Sequence, residues 1–137
     1  MSGRWQAGDT LPEISMDLSL RRAIQAVAGT RDYYPFHHDE QLAKDNGADG
    51  IFFNTMFLQG FVGRALSEWF GNDAFPKRLE VAMRSSNYVS RTLTASGAVA
   101  AVRESDGRRL IDVDVTLATE DGPTTDVKLT VQLPPPE

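Results

Sequence analysis

Asp32 and His37 stand five residues apart in the segment Asp32-Tyr33-Tyr34-Pro35-Phe36-His37. An imidazole titrates near neutral pH, and a carboxylate can orient it or accept a proton from it. The proline biases Tyr34 away from helical backbone, and a bend there can bring both side chains to one side of a loop. Converging on one water, the two groups could work as general acid and base. The plainer alternative is a turn-capping aspartate and a surface histidine, since such residues are common in loops. The run His37-His38-Asp39 offers metal-ligand types. Adjacent side chains point different ways, however, and the chain has only two histidines, so no metal site is expected. Asp39 reads instead as the N-cap of a short helix with Leu42 and Ala43 on its buried face.

These groups need a scaffold. Residues 51–70 form the most apolar stretch, with apolar or small side chains nearly all round, which predicts a helix enclosed by protein. Asn54, Thr55, Gln59, Arg64, Ser67 and Glu68 interrupt it. A membrane span needs roughly 20 mostly apolar residues, so a core helix is the better reading. Gly60 and Gly63 weaken such a helix and predict that another backbone, a ligand or a sheet comes close. Asn54 and Thr55 lie in its opening turn. Backbone N–H groups there are unpaired and sit at the positive end of the helix dipole, while Asn54 is also a ready N-cap.

Upstream, residues 13–20 alternate, with Ile14, Met16, Leu18 and Leu20 on one face, as in a half-buried strand. Ser19 is a cap for a helix over residues 20–28, and Gly29 is its stop. Downstream, residues 78–88 carry Leu79, Val81 and Met83 in alternation, and residues 92–103 are rich in Thr, Ala and Val. Residues 110–119 alternate Ile111, Val113, Val115 and Leu117 against a more polar set, and Val127, Leu129, Val131 and Leu133 repeat the pattern. Asp106-Gly107 and Asp121-Gly122-Pro123 are turns between strands. The proline-rich tail at 134–137 is expected to fray. A strand, a long core helix and then a meander predict an α+β fold in which one curved antiparallel sheet wraps the helix.

A chain of 137 residues fits a single domain spanning 1–137. Its net charge of −5 argues against a nucleic-acid-binding surface. The absence of cysteine rules out disulfides and a thiol nucleophile, and it fits a cytoplasmic location. Residues 1–6 show no apolar signal core. Neither a glycine-rich phosphate loop nor a serine-nucleophile motif is present.

The spacing Asp32-x-x-Pro35-x-His37, with a helix after it, resembles the Asp-x-Asn-Pro-x-His motif of the MaoC-like hot-dog hydratases and dehydratases. Tyr34 stands in place of the motif asparagine. Seventeen residues beyond the histidine, where that family has His-Gly, this chain has Asn54-Thr55. Thr30-Arg31-Asp32, His37-His38-Asp39 and Ile51-Phe52-Phe53-Asn54 look most like the small catalytic subunit of actinobacterial enoyl-CoA hydratases that act on steroid side chains, which also has Asn at that place. The resemblance implies a hot-dog fold and hydration of a 2-enoyl-CoA thioester to a 3-hydroxyacyl-CoA, with a bulky steroid-derived acyl group.

It further implies Asp32 and His37 as the catalytic pair. The Thr55 N–H would hold the thioester oxygen, and Asn54 would orient the thioester or a catalytic group. Tyr33 and Phe52 are the candidates for lining the acyl pocket. One or two of Arg84, Arg91, Arg103, Arg108 and Arg109 could meet coenzyme A phosphates. No metal or redox cofactor is implied, because coenzyme A arrives with the substrate. The expected assembly is a homodimer or a heterotetramer with a second MaoC-like chain, without nucleic acid or membrane. The competing readings are a hot-dog thioesterase and a non-catalytic acyl-CoA-binding subunit.

Overall fold

A computed structural model describes residues 5–135. The expectations for the extreme N-terminus, residues 1–4, and for the last two residues of the tail lie outside it. Strand β1 (Thr10–Leu18) leads into helix α1 (Leu20–Thr30). A single 3-10 turn (Pro35–His37) and the short helix α2 (Glu40–Asp45) precede the long helix α3 (Thr55–Phe70). Four strands follow: β2 (Phe75–Met83), β3 (Arg91–Ser105), β4 (Arg108–Thr119) and β5 (Gly122–Gln132). The sheet runs β1-β3-β4-β5-β2, with every neighbouring pair antiparallel.

The core lies between α3 and the sheet. Leu58, Phe61, Val62, Ala65, Leu66 and Trp69 form the buried stripe of α3. They pack in one cluster with Leu93, Ala95 and Val99 of β3, Ile111, Val113, Val115 and Leu117 of β4, and Val127, Leu129 and Val131 of β5. The period-2 alternation read from the sequence supplies that sheet face, and the helical period supplies the stripe. The Trp69 indole donates to the Pro12 carbonyl at 2.8 Å and comes so close to Gly97 that no side chain fits there. A Cβ at Gly97 would stand 2.9 Å from Trp69 Cη2.

Several boundaries differ from the sequence reading. Leu20 does not extend β1 but opens α1, because the Ser19 hydroxyl takes the Arg22 N–H and caps that helix. The long helix starts at Thr55, not at residue 51. Residues 51–53 are extended because they pair with a distant segment: the Phe53 N–H donates to the Asn87 carbonyl, and the Val89 N–H to that of Ile51. This pairing takes the backbone groups a helix would have used. Nor is α3 enclosed on every side. Met56, Gln59, Gly60, Gly63 and Arg64 are exposed, and nothing lies within 4 Å of a Cβ built at Gly60 or Gly63.

Strand β2 begins earlier than expected and ends at Met83, and it forms one edge of the sheet. Leu79 and Met83 pair with Leu129 and Thr125, whose side chains are buried, so they share the core-facing side. Each is nevertheless 37% exposed. Asp106 and Gly107 both adopt positive φ (52° and 74°), the mirror-image turn that suits a tight hairpin. No helix among the described residues is long and apolar enough to cross a membrane.

Candidate active site

Helix α1 delivers the chain to the site and then reverses it sharply. Arg31 closes the helix in the left-handed region (φ 56°, ψ 26°), so Asp32 turns back beneath the end of α1. Pro35 then starts the 3-10 turn, its fixed φ suiting that first position, and His37 is the last residue of the turn. His37 is 9% exposed as a residue. Its ring stands edge-on to Phe52 with centroids 5.0 Å apart.

Hydrogen bonds fix the chemistry of this ring. His37 Nδ1 lies 2.7 Å from the Phe52 carbonyl oxygen. A carbonyl only accepts, so Nδ1 carries the proton and the neutral ring presents a bare Nε2. Nε2 faces Asp32 Oδ2 at 3.6 Å. That separation is long for a direct hydrogen bond, and a third group in the cleft could meet both atoms. Asp32 Oδ1 accepts weakly from the Tyr34 N–H at 3.4 Å.

Asn54 ties this pair to α3. Its Oδ1 accepts the Phe57 N–H at 2.8 Å, capping the helix. Its Nδ2 donates to Thr30 Oγ1 at 2.9 Å and reaches Asp32 Oδ2 at 3.3 Å. The N–H groups of Thr55 and Met56, the first two of the helix, have no acceptor among the described residues. They are therefore free to bind a developing negative charge at the positive end of the helix dipole.

Asp32, His37, Asn54 and Thr55 meet in one cleft of about 420 Å³, whose apolar wall is Tyr34, Phe36, Phe52, Met56 and Met83. Phe52, one of the two residues expected to line an acyl pocket, borders this cleft. Tyr33, also expected to line the pocket, is not among the residues bordering the cleft; it is exposed, and its carbonyl is engaged by His38 Nε2 at 3.1 Å. Because the chain turns at Tyr34-Pro35, the second tyrosine, not the first, borders the cleft. Met56 and Met83 were not legible from the sequence. Met83 comes from the end of β2, nearly fifty residues past the motif, and carries no local mark.

Asp39 caps α2 through the Leu42 N–H at 3.0 Å, and no cluster of three metal-ligand side chains occurs among the described residues. Three of the scattered arginines hold carboxylates instead: Arg84 pairs with Asp126, Arg91 with Asp121 and Arg103 with Asp112. A larger groove of about 490 Å³ is bordered by Leu20, Ile24, His38, Glu40, Asp49 and Tyr88; there the His38 Nε2 is engaged by the Tyr33 carbonyl.

No family model matches this chain. It is 31% identical over 97 residues to the 3-oxo-4,17-pregnadiene-20-carboxyl-CoA hydratase beta subunit of Mycobacterium tuberculosis, a match spanning 71% of this chain and 75% of that protein. The crystal structure of the ChsH1–ChsH2 complex from the same organism superposes with a TM-score of 0.85 at 27% identity, over 93% of this chain and 98% of the other. A MaoC-like dehydratase from Rhodospirillum rubrum has the same fold, with a TM-score of 0.85 at 18% identity over 98% and 97% of the two chains. With its Asp32/His37 pair, its helix start and its five-stranded wrap in place, the chain belongs to the MaoC-like hot-dog hydratases and dehydratases, beside the steroid side-chain CoA hydratase subunit.

Proposed function

We propose that this protein hydrates a 2-enoyl-CoA thioester to the 3-hydroxyacyl-CoA. The observation that carries the reading is the pair His37 Nε2 and Asp32 Oδ2, 3.6 Å apart and facing one cleft at the open start of α3. Asp32 orients a water, and His37 Nε2 takes its proton as the oxygen adds to Cβ. The electron pair of the double bond moves toward the thioester carbonyl. The N–H groups of Thr55 and Met56 stabilise the resulting enolate oxygen. The imidazolium then returns the proton to Cα, so the sum is one water added and no other reactant consumed. Coenzyme A enters and leaves as part of the thioester, and the reaction as written asks for no metal or redox group.

A bulky, steroid-derived acyl group is the substrate class we favour. The hydratase subunit at 31% identity supports it, as does the wide apolar wall contributed by Tyr34, Phe36, Met56 and Met83. The partner we favour is a second hot-dog chain. Strand β2 leaves a free edge and the uncovered side chains Leu79 and Met83, and Met83 also borders the cleft, so the covering chain would close the site.

The test is loss of enoyl absorbance with a panel of short-chain and steroid enoyl-CoA esters, products being weighed by mass spectrometry, on the chain alone and with its co-purified partner. A gain of one water is expected. Release of free coenzyme A, detected with a thiol reagent, would identify a thioesterase. Tight binding without turnover in the complete assembly would identify an acyl-CoA-binding subunit.

A further inference from the structure

We propose that Thr30 is a positioning residue for Asp32 and acts through the amide of Asn54. This rests on the hydratase reading above. Asn54 is 4% exposed, so its amide has few alternatives to the partners it has. The Phe57 N–H can donate only to oxygen, which fixes Oδ1 toward α3 and Nδ2 toward α1. Nδ2 carries two hydrogens and faces two oxygens, Thr30 Oγ1 at 2.9 Å and Asp32 Oδ2 at 3.3 Å. The Thr30 hydroxyl spends its own hydrogen on the Ala26 carbonyl at 2.7 Å, so toward Asn54 it can only accept.

Every donor in the chain therefore has one direction. The first turn of α3 holds Asn54, Asn54 donates to Thr30 and Asp32, and Thr30 is anchored to α1. The oxygen held this way, Asp32 Oδ2, is the one that faces His37 Nε2. A threonine bonding back to the carbonyl four residues earlier is ordinary in a helix. That habit accounts for the bond to Ala26 and not for the shorter of the two bonds from Asn54. Taking away the hydroxyl would strand one amide hydrogen in a half-buried place and let the amide rotate off the carboxylate.

The experiment compares Thr30→Val, which keeps the shape and removes the acceptor, with Thr30→Ser, which keeps the acceptor. In the active assembly, Thr30→Val is expected to lower kcat about tenfold, as a small misplacement of a catalytic group does, with KM within about twofold. Thr30→Ser is expected to restore kcat. A second readout does not need turnover: the ¹⁵N resonance of His37 Nε2, assigned against a His38→Gln variant since the chain has two histidines. It should move in Thr30→Val and stay in Thr30→Ser. An unmoved resonance in Thr30→Val overturns the proposal even if kcat falls with thermal stability, as does a Thr30→Ser variant no better than Thr30→Val. A wild-type assembly that hydrates no ester overturns the hydratase reading instead, and the resonance still decides the role of Thr30.

Discussion

The backbone carbonyl of Phe52 accepts the Nδ1 proton of His37 at 2.7 Å. The carbonyl is itself held, because residues 51 and 53 on either side pair with Val89 and Asn87. The imidazole is thus locked in the tautomer that a general base requires, by a strand-like segment belonging to no regular strand.

That relationship sets the expected kinetics of the site. His37→Ala and Asp32→Asn should each lower kcat by roughly 10²–10⁴-fold, the range for a positioned acid or base, while the folded population is unchanged by circular dichroism. Near-normal turnover in either variant would remove that residue from the mechanism.

Packing under the long helix makes a sharper structural prediction. Gly97→Ala places a methyl group 2.9 Å from Trp69 Cη2 and 3.1 Å from Leu11 Cδ1. The indole, pinned by its bond to Pro12, cannot move freely aside. Destabilisation of about 1–3 kcal/mol is expected for such overpacking, read from urea unfolding, with a change in tryptophan fluorescence in the native baseline.

On the outer face of the sheet, Asp112 is held below the usual carboxylate range. The hydrogen bond from Arg103 is the largest cause, opposed by partial burial and helped by the Thr130 hydroxyl. A carboxyl lowered in the folded state stabilises it above the unfolded value, and that contribution disappears as pH falls through the folded value. The melting temperature of Asp112→Asn should therefore lie below that of the wild type near neutral pH. The gap should narrow below about pH 3.9 and close in stronger acid. A gap that widens with acid would contradict the assignment.

The partly exposed Leu79 and Met83 of the edge strand β2 predict an assembly defect without a folding defect. Leu79→Lys puts a charge on a side chain already 37% exposed in one chain, so the isolated fold should tolerate it. A charge directed into a covered apolar contact is costly. Size-exclusion chromatography should show loss of the oligomer and, because Met83 borders the cleft, loss of activity with it. An intact oligomer in this variant would move the interface elsewhere.

The parts of the molecule that could be read in advance rest on short-range physics. Ser19, Asp39 and Asn54 were each legible as caps, because each bonds an N–H three residues ahead. The Asp106-Gly107 hairpin was legible because its two residues tolerate positive φ. The inward set of β4 and β5 followed from strict alternation. Asp32 and His37 were legible as a pair by type and spacing, and their membership in a known family by the proline between them.

Folding alone decided the rest, through contacts between residues far apart in the chain. The start of α3 moved to Thr55 because residues 51–53 found partners near residue 88, and no local propensity reports such competition. Which of two exposed tyrosines borders the cleft, Tyr34 and not Tyr33, depended on the chain reversal at Arg31 and the turn that follows it. Thr30 lay beyond the helix read over residues 20–28, twenty-four residues from Asn54; the fold keeps it in α1 and lays its hydroxyl against the amide that also reaches Asp32.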